Sequence, residues 1–246
     1  MTGGSVKFRI AKLTKQQQTF AREVVIVVLG VLIALGAQQL VEALDQTKRR
    51  AEARAAIEGE LGRNLDAFRR RAEVQSCIDS RLAEVEALLT TTPLGATLPR
   101  PLWIGRPQVW SVTEIRLEAA TSGARTALLS GEEQAGYSEV YNTIRTLDQA
   151  QDIEQLAWAR LRGLETLPSL DALSRANLIE ALHEARYANF RIIVAASQSR
   201  ERAQAINVVL GRSPYGQGSR SACIPMNTPR QKALEMTATG RFLAEP

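Results

Sequence analysis

Residues 24–37 read VVIVVLGVLIALGA, fourteen positions without a polar side chain, preceded by a basic stretch and followed by a strongly polar chain. A helix that is apolar all round must be enclosed by a protein core or by hydrocarbon, because a one-sided stripe suffices for a surface helix. Fourteen residues fall short of the ~20 that an α-helix needs to cross a bilayer. Phe20 and Ala21 before the run, with Leu40, Val41 and Leu44 after it, bring the stretch to spanning length. Glu23 and the pair Gln38, Gln39 then fall towards the two interfaces, where polar side chains reach water or headgroups. A cleaved export signal has a similar layout, with a basic start, an apolar core of about 7–15 residues and small residues before the cut. Ala34-Leu35-Gly36 would supply that cut. Helical patterning runs on through Leu44 with no Pro or Gly-rich break, which favours a retained transmembrane helix over residues 23–44.

Charge sets the expected orientation. Lys7, Arg9, Lys12, Lys15 and Arg22 crowd the tail of residues 1–22, opposed before the apolar run only by Glu23. The positive-inside rule therefore puts this tail in the cytoplasm of a bacterial cell, the span in the inner membrane and the remainder in the periplasm. Five Lys/Arg against one Glu in residues 1–41 account for +4 of the net charge of +5, so the rest of the chain is almost neutral. The basic balance is a topology signal rather than a nucleic-acid footprint. Arg69-Arg70-Arg71 is the densest local patch elsewhere, and without interleaved aromatics it reads as a solvated helix face.

Glu23, the run up to Gly30, Val-Leu-Ile-Ala-Leu ending at Leu35, then Gln38-Gln39 and Glu42 resemble the N-terminal signature of a family of uncharacterised single-pass bacterial membrane proteins. In that family a Glu opens the span and an amide pair followed by an acid closes it. Here Gln stands where the family usually has Asn, and Leu40 where it usually has Trp. The resemblance covers residues 20–45 and implies a membrane-anchored protein without an assigned activity. Glu23, Gly30, Ala34 and Gln38 also share one helix face. Gly30-x-x-x-Ala34 is a small-x-x-x-small contact, and Gln38 could hydrogen-bond across a helix pair. The expected partners are the lipid bilayer and, through this face, a second copy of the chain or another membrane protein.

Beyond the span the composition is that of long helices: aromatics are 5 % of the chain, and Ala, Leu, Glu, Gln and Arg abound. Ile57, Leu61, Leu65, Phe68, Ile78, Leu82, Val85 and Leu89 recur at helical steps and predict one helix from Glu42 to about Thr90. Four prolines make residues 91–112 a loop, with Trp103 and Trp110 pinning it across the bundle or stacking on a ligand. A short helix is expected over residues 113–121, with another turn or two to Leu129. Ser130 and Glu133 have the spacing of a capping box, opening a helix to about Thr166 that buries Val140, Ile144, Leu147, Trp158 and Leu161. Pro168 breaks the chain before a third helix over residues 170–210, with Leu178, Leu182, Ile192, Ile193 and Ala196 inward. The short connection makes the last two helices antiparallel. The predicted fold is all-α: an N-terminal transmembrane helix continuing into a long helix, with an elongated antiparallel bundle over residues 45–210 and an irregular tail over residues 211–246. Cys77 and Cys223 are expected to form a disulfide tying that tail to the first long helix.

Tests for chemistry are mostly negative. Glu180-x-x-His183 has the spacing of half a di-iron site, but the chain has one histidine and cannot supply the second half. There is no Gly-x-Ser-x-Gly elbow, and residues 211–218 lack the Gly-Lys-Ser/Thr ending of a phosphate loop. The sequence therefore predicts no catalytic residue, no cofactor and no metal. It points to a scaffold, adaptor or accessory subunit working by protein contacts. The alternatives are a periplasmic ligand sensor, with Trp110, Tyr137, Tyr141 or Trp158 around a pocket, and an envelope enzyme.

Overall fold

The computed structural model describes residues 15–110, 128–211 and 220–239. It is all-α, built from α1 (Lys15–Glu73), α2 (Gln75–Thr91), α3 (Gly131–Leu161), α4 (Ala172–Ala205) and α5 (Arg230–Thr239). Among the described residues the nearest thing to a sheet is an isolated antiparallel bridge between Thr97 and Ser169. The chain divides into two units, residues 1–51 and residues 52–246. The first contains the apolar run in helical conformation, and the second is a packed bundle. The predicted helix over residues 113–121 lies outside the described residues.

The helix expected from Glu42 to Thr90 is two helices, broken at Val74. Leu65, Phe68, Arg71 and Val74 are all buried at steps of three. In a straight helix each three-residue step slips about 60° from a fixed face, so one straight helix cannot keep all four inward, and the break restarts the face for Ile78, Leu82, Val85 and Leu89. Two apolar clusters result. One gathers Ile57, Leu61, Leu65 and Phe68 with Tyr141, Ile144 and Ile192. The other gathers Ile78, Leu82, Val85 and Leu89 with Trp158, Leu161 and Leu182.

α3 and α4 are antiparallel, joined by a 3-10 turn over Arg162–Glu165, so α3 ends earlier than the predicted Thr166. Ala150 and Ala157 on α3, and Ala181, Ala185, Ala188 and Ala195 on α4, are buried; small side chains let two backbones approach closely. Arg202 of α4 reaches Glu139 and Thr143 near one end of the pair, while Arg160 meets Glu184 near the other. Ile192 turns inward as expected, but its neighbour Ile193 is exposed, which corrects the expectation for Ile193. Adjacent helical residues point about 100° apart, and the inward stripe continues through Ala195 and Ser199 instead.

Local chemistry sets the helix ends. Ser130 accepts from the Glu133 amide (3.2 Å) while the Glu133 carboxylate accepts from the Ser130 amide (2.7 Å), completing the expected capping box. Accepting that backbone donor holds the Glu133 carboxyl below its ordinary range. Asp171 caps α4 by accepting from the Ser174 amide at 2.7 Å. α4 stops at Ala205 rather than Leu210 because Asn207 adopts φ +59°. The Asn207 amide then donates to Gln204 and the Val208 amide to Ala203 (2.9 Å), a paired closure that satisfies the last carbonyls. The tail, expected to be irregular, carries a 3-10 turn over Ser221–Cys223 and the helix α5.

Gly62, a weak point for helix propensity, is required by packing. A Cβ there would stand 2.6 Å from the Val209 carbonyl oxygen and 2.7 Å from the Gly211 amide nitrogen. Gly62→Ala should lower the stability of the bundle by about 1–3 kcal/mol, because overpacking against backbone outweighs alanine's better helix propensity; urea unfolding followed by circular dichroism measures it.

Candidate functional site

In the membrane-length segment, every described side chain from Arg22 to Leu44 is exposed. Among the described residues one helix is long and apolar enough to cross a membrane, and it contains this segment. Apart from their chain neighbours and the adjoining backbone of their own helix, Gly30 and Gly36 have no atom within 4 Å of where a Cβ would stand. Glu23, Gly30, Ala34 and Gln38 fall on one face of α1 by helix geometry. The residues of that face are exposed, and an apolar surface of this kind suits lipid or a second helix.

The sequence-singled aromatics are dispersed through the bundle. Trp110, Tyr137 and Tyr141 are buried in the first apolar cluster, Trp158 in the second, and Trp103 packs with Ile224, Ala233 and Met236 in a third. Trp110 is pinned by Gln151, whose carboxamide accepts from the Trp110 amide (2.9 Å) and donates to its carbonyl (3.1 Å). Tyr141 donates to Glu60 (2.6 Å) and Tyr137 to Glu58 (3.0 Å), tying α3 to α1. Burial and the hydrogen bond to Glu58 push the Tyr137 phenol well above its ordinary range. Trp103 also lines an open cleft.

Between the first two apolar clusters lies a polar layer to which α1, α2, α3 and α4 all contribute. Arg71 is 4 % exposed and Glu154 0 %, and their side chains meet at 2.6 Å. The same Arg71 nitrogen donates to Asn189 at 2.8 Å, while the other terminal nitrogen donates to Gln75 at 3.2 Å. Asp79 accepts from Gln75 (2.8 Å) and Asn189 (3.2 Å), closing the network. Burial pulls the Arg71 guanidinium below its ordinary range and pushes the Glu154 carboxyl above its own, with the mutual attraction opposing both shifts. Of the Arg69-Arg70-Arg71 patch, expected to be a solvated face, Arg69 is exposed and the expectation is corrected at Arg71. Arg69 and Arg70 grip Asp66, at 2.8 and 2.7 Å, and Arg71 turns into the core. Its position three residues beyond Phe68 continues the buried stripe, the signal that could have found it.

A second buried cation fixes the other end of the domain. Arg81 donates to the carbonyls of Trp103, Ile104 and Ile224, joining α2 to the proline-rich loop and the C-terminal segment. Beside it Cys77 and Cys223 are paired, with Cα atoms 4.8 Å apart. The loop is sewn further by the Leu102 and Trp103 amides donating to Met226, and by the Trp103 indole donating to the Ser221 carbonyl at 2.9 Å. Gly105 is required here: its φ is +73°, and a Cβ would run into the Ser221 backbone.

Among the described residues no group of three or more His, Cys, Asp or Glu side chains is placed to hold a metal ion. Glu180 and His183 lie on the exposed face of α4. Comparisons with protein-family models, curated proteins and solved structures return no match to this chain.

Removing one partner of the buried pair leaves an uncompensated charge. Glu154→Leu should therefore destabilise the bundle by about 3–5 kcal/mol, and the double variant Arg71→Met/Glu154→Leu by clearly less; chemical denaturation of the set gives the coupling. Cys77→Ser should lower the unfolding midpoint, by an amount capped near 5 kcal/mol in the chain-entropy account, and reducing agent should lower the midpoint of the unaltered protein but not of the variant.

Proposed function

We propose that this chain is a single-pass inner-membrane protein, N-terminus in the cytoplasm and helical domain in the periplasm, that works through protein–protein contacts as a scaffold, adaptor or accessory subunit. The observation that carries the reading is the apolar stretch of α1, whose described side chains find no cover within the chain. Water is a poor environment for such a surface, and hydrocarbon is the natural one. The paired cysteines support an oxidising compartment for the bundle. The basic residues before the span support a cytoplasmic N-terminus.

The role in protein contacts rests on how the polar residues are used. Arg71, Glu154, Asn189, Arg81 and Gln151 each have structural partners in holding helices and loop together. This reading assigns the chain no reaction. On the span, the face carrying Gly30, Ala34 and Gln38 is the contact through which a second copy or another membrane protein would associate. The ligand-sensor alternative loses its expected pocket, since Trp110, Tyr137, Tyr141 and Trp158 fill apolar cores.

Two measurements test the reading. In spheroplasts, an impermeant maleimide should label Gln198→Cys and leave Ser5→Cys untouched; the reverse pattern inverts the topology, and loss of the protein from membranes in alkaline carbonate removes the anchor. Amine crosslinking in membranes should give a discrete higher-mass species that Gly30→Leu/Ala34→Leu diminishes severalfold. A chain that stays monomeric and captures no partner under these conditions refutes the contact role.

A further inference from the structure

The cleft beside Trp103 has a volume of about 450 Å³ and is walled by three separate segments of chain. The proline-rich loop supplies Trp103 and Arg106, the turn after α3 supplies Arg162, and the C-terminal segment supplies Ser221, Leu234 and Thr237. That volume lies within the ~300–1,000 Å³ of small-molecule sites. Its shape is held from behind. Gly105 presses on the Ser221 backbone, the Trp103 indole donates to Ser221, and the Arg106 amide donates to the Ser221 hydroxyl at 3.3 Å.

Among the described residues no acidic side chain lines the cleft, and two guanidiniums do. Elsewhere Arg54, Arg69, Arg70, Arg71, Arg186 and Arg202 each lie within 2.5–3.2 Å of a carboxylate. Arg106 instead reaches only the neutral carboxamide of Gln155, at 3.4 Å. Arg162 stands 3.9 Å from Glu165, and that carboxylate is already engaged by the Ile104 amide at 2.8 Å and by Arg230 at 3.0 Å. One cation without a carboxylate partner, and a second whose carboxylate is distant and shared, therefore border a recess whose remaining walls include an indole, a proline and a leucine.

We infer that this cleft is a binding site for a small organic anion, a carboxylate carried on an apolar body, with Arg106 and Arg162 holding the charge and Trp103 and Leu234 flanking the body. Guanidinium matches a carboxylate with paired, charge-assisted hydrogen bonds, and the apolar walls discriminate against a bare inorganic ion. The assignment goes beyond the role in protein contacts and stands whether or not the chain is anchored.

The test uses the full chain in a zwitterionic detergent, with the indole N–H resonances of its three tryptophans as reporters. Benzoate is the probe, benzyl alcohol its neutral analogue, and inorganic phosphate the anion without an apolar body. Benzoate should shift the Trp103 resonance saturably, assigned by its loss in Trp103→Phe, while those of Trp110 and Trp158 hold still and report intact packing. Benzyl alcohol and phosphate should bind at least about tenfold more weakly, and Arg106→Gln and Arg162→Gln should each weaken benzoate roughly tenfold, the scale of one charged hydrogen bond. Arg200→Gln, an exposed arginine outside the cleft, should leave it unchanged. The inference is overturned by the absence of a saturable shift, by equal binding of phosphate, or by full benzoate affinity in both cleft variants. A shift produced by an acidic peptide and not by benzoate overturns it in favour of a protein partner.

Discussion

Arg71 and Glu154 bring opposite charges together where neither can be reached by water. Their neighbours, Gln75, Asp79 and Asn189, are contributed by the two remaining principal helices of the bundle. An apolar interface of alanines and leucines can slide by a turn at modest cost, since one aliphatic contact resembles the next. A buried charge has no such freedom, because every slipped register strands it without its partner. The layer thus sets how α1, α2, α3 and α4 align, and the apolar clusters on either side supply the burial that makes this alignment stable. The same requirement accounts for the break at Val74: the chain turns its inward face at the level where Arg71 must point to the centre.

Arg81 does for irregular chain what Arg71 does for helices. Proline-rich segments lack amide donors and leave carbonyls unpaired, and a buried carbonyl without a partner is costly. One guanidinium satisfies three of them, two from the loop and one from the C-terminal segment. The proline-rich loop and the segment around Ile224 are thereby joined to α2, which ties the walls of the cleft they frame to the bundle.

Much of this was legible from periodicity and capping chemistry. The buried stripe from Ile57 to Leu89, the Ser130 capping box and the antiparallel pairing of α3 with α4 follow from local rules that tertiary context did not override. The Cys77–Cys223 pairing followed from there being two cysteines to join. What escaped were features in which a polar residue plays a core role. Arg71 and Glu154 look like ordinary surface residues until the far helix is in place, because a charged residue is counted as exposed unless its partner is known. The early stop of α4 escaped for a different reason: Asn207 is of a type that often closes helices, but Val208, Val209 and Leu210 carry the apolar pattern on beyond it. Ile193 misled because two adjacent isoleucines cannot share one face, and the sequence does not say which yields. The cleft beside Trp103 was hidden because its walls come from segments far apart along the chain.

The bond between Cys77 and Cys223 spans 146 residues of sequence, and this separation has a consequence for biogenesis. When Cys77 leaves the ribosome its mate has not been made, and α3 and α4 must both be synthesised before oxidation can join the two. Throughout that interval the first thiol is open to capture by foreign disulfides, and a chain halted anywhere between them is left with an unmatched sulfhydryl. Closure of this one covalent ring is accordingly a molecular record that synthesis ran to residue 223 and that the intervening helices allowed the two ends to meet.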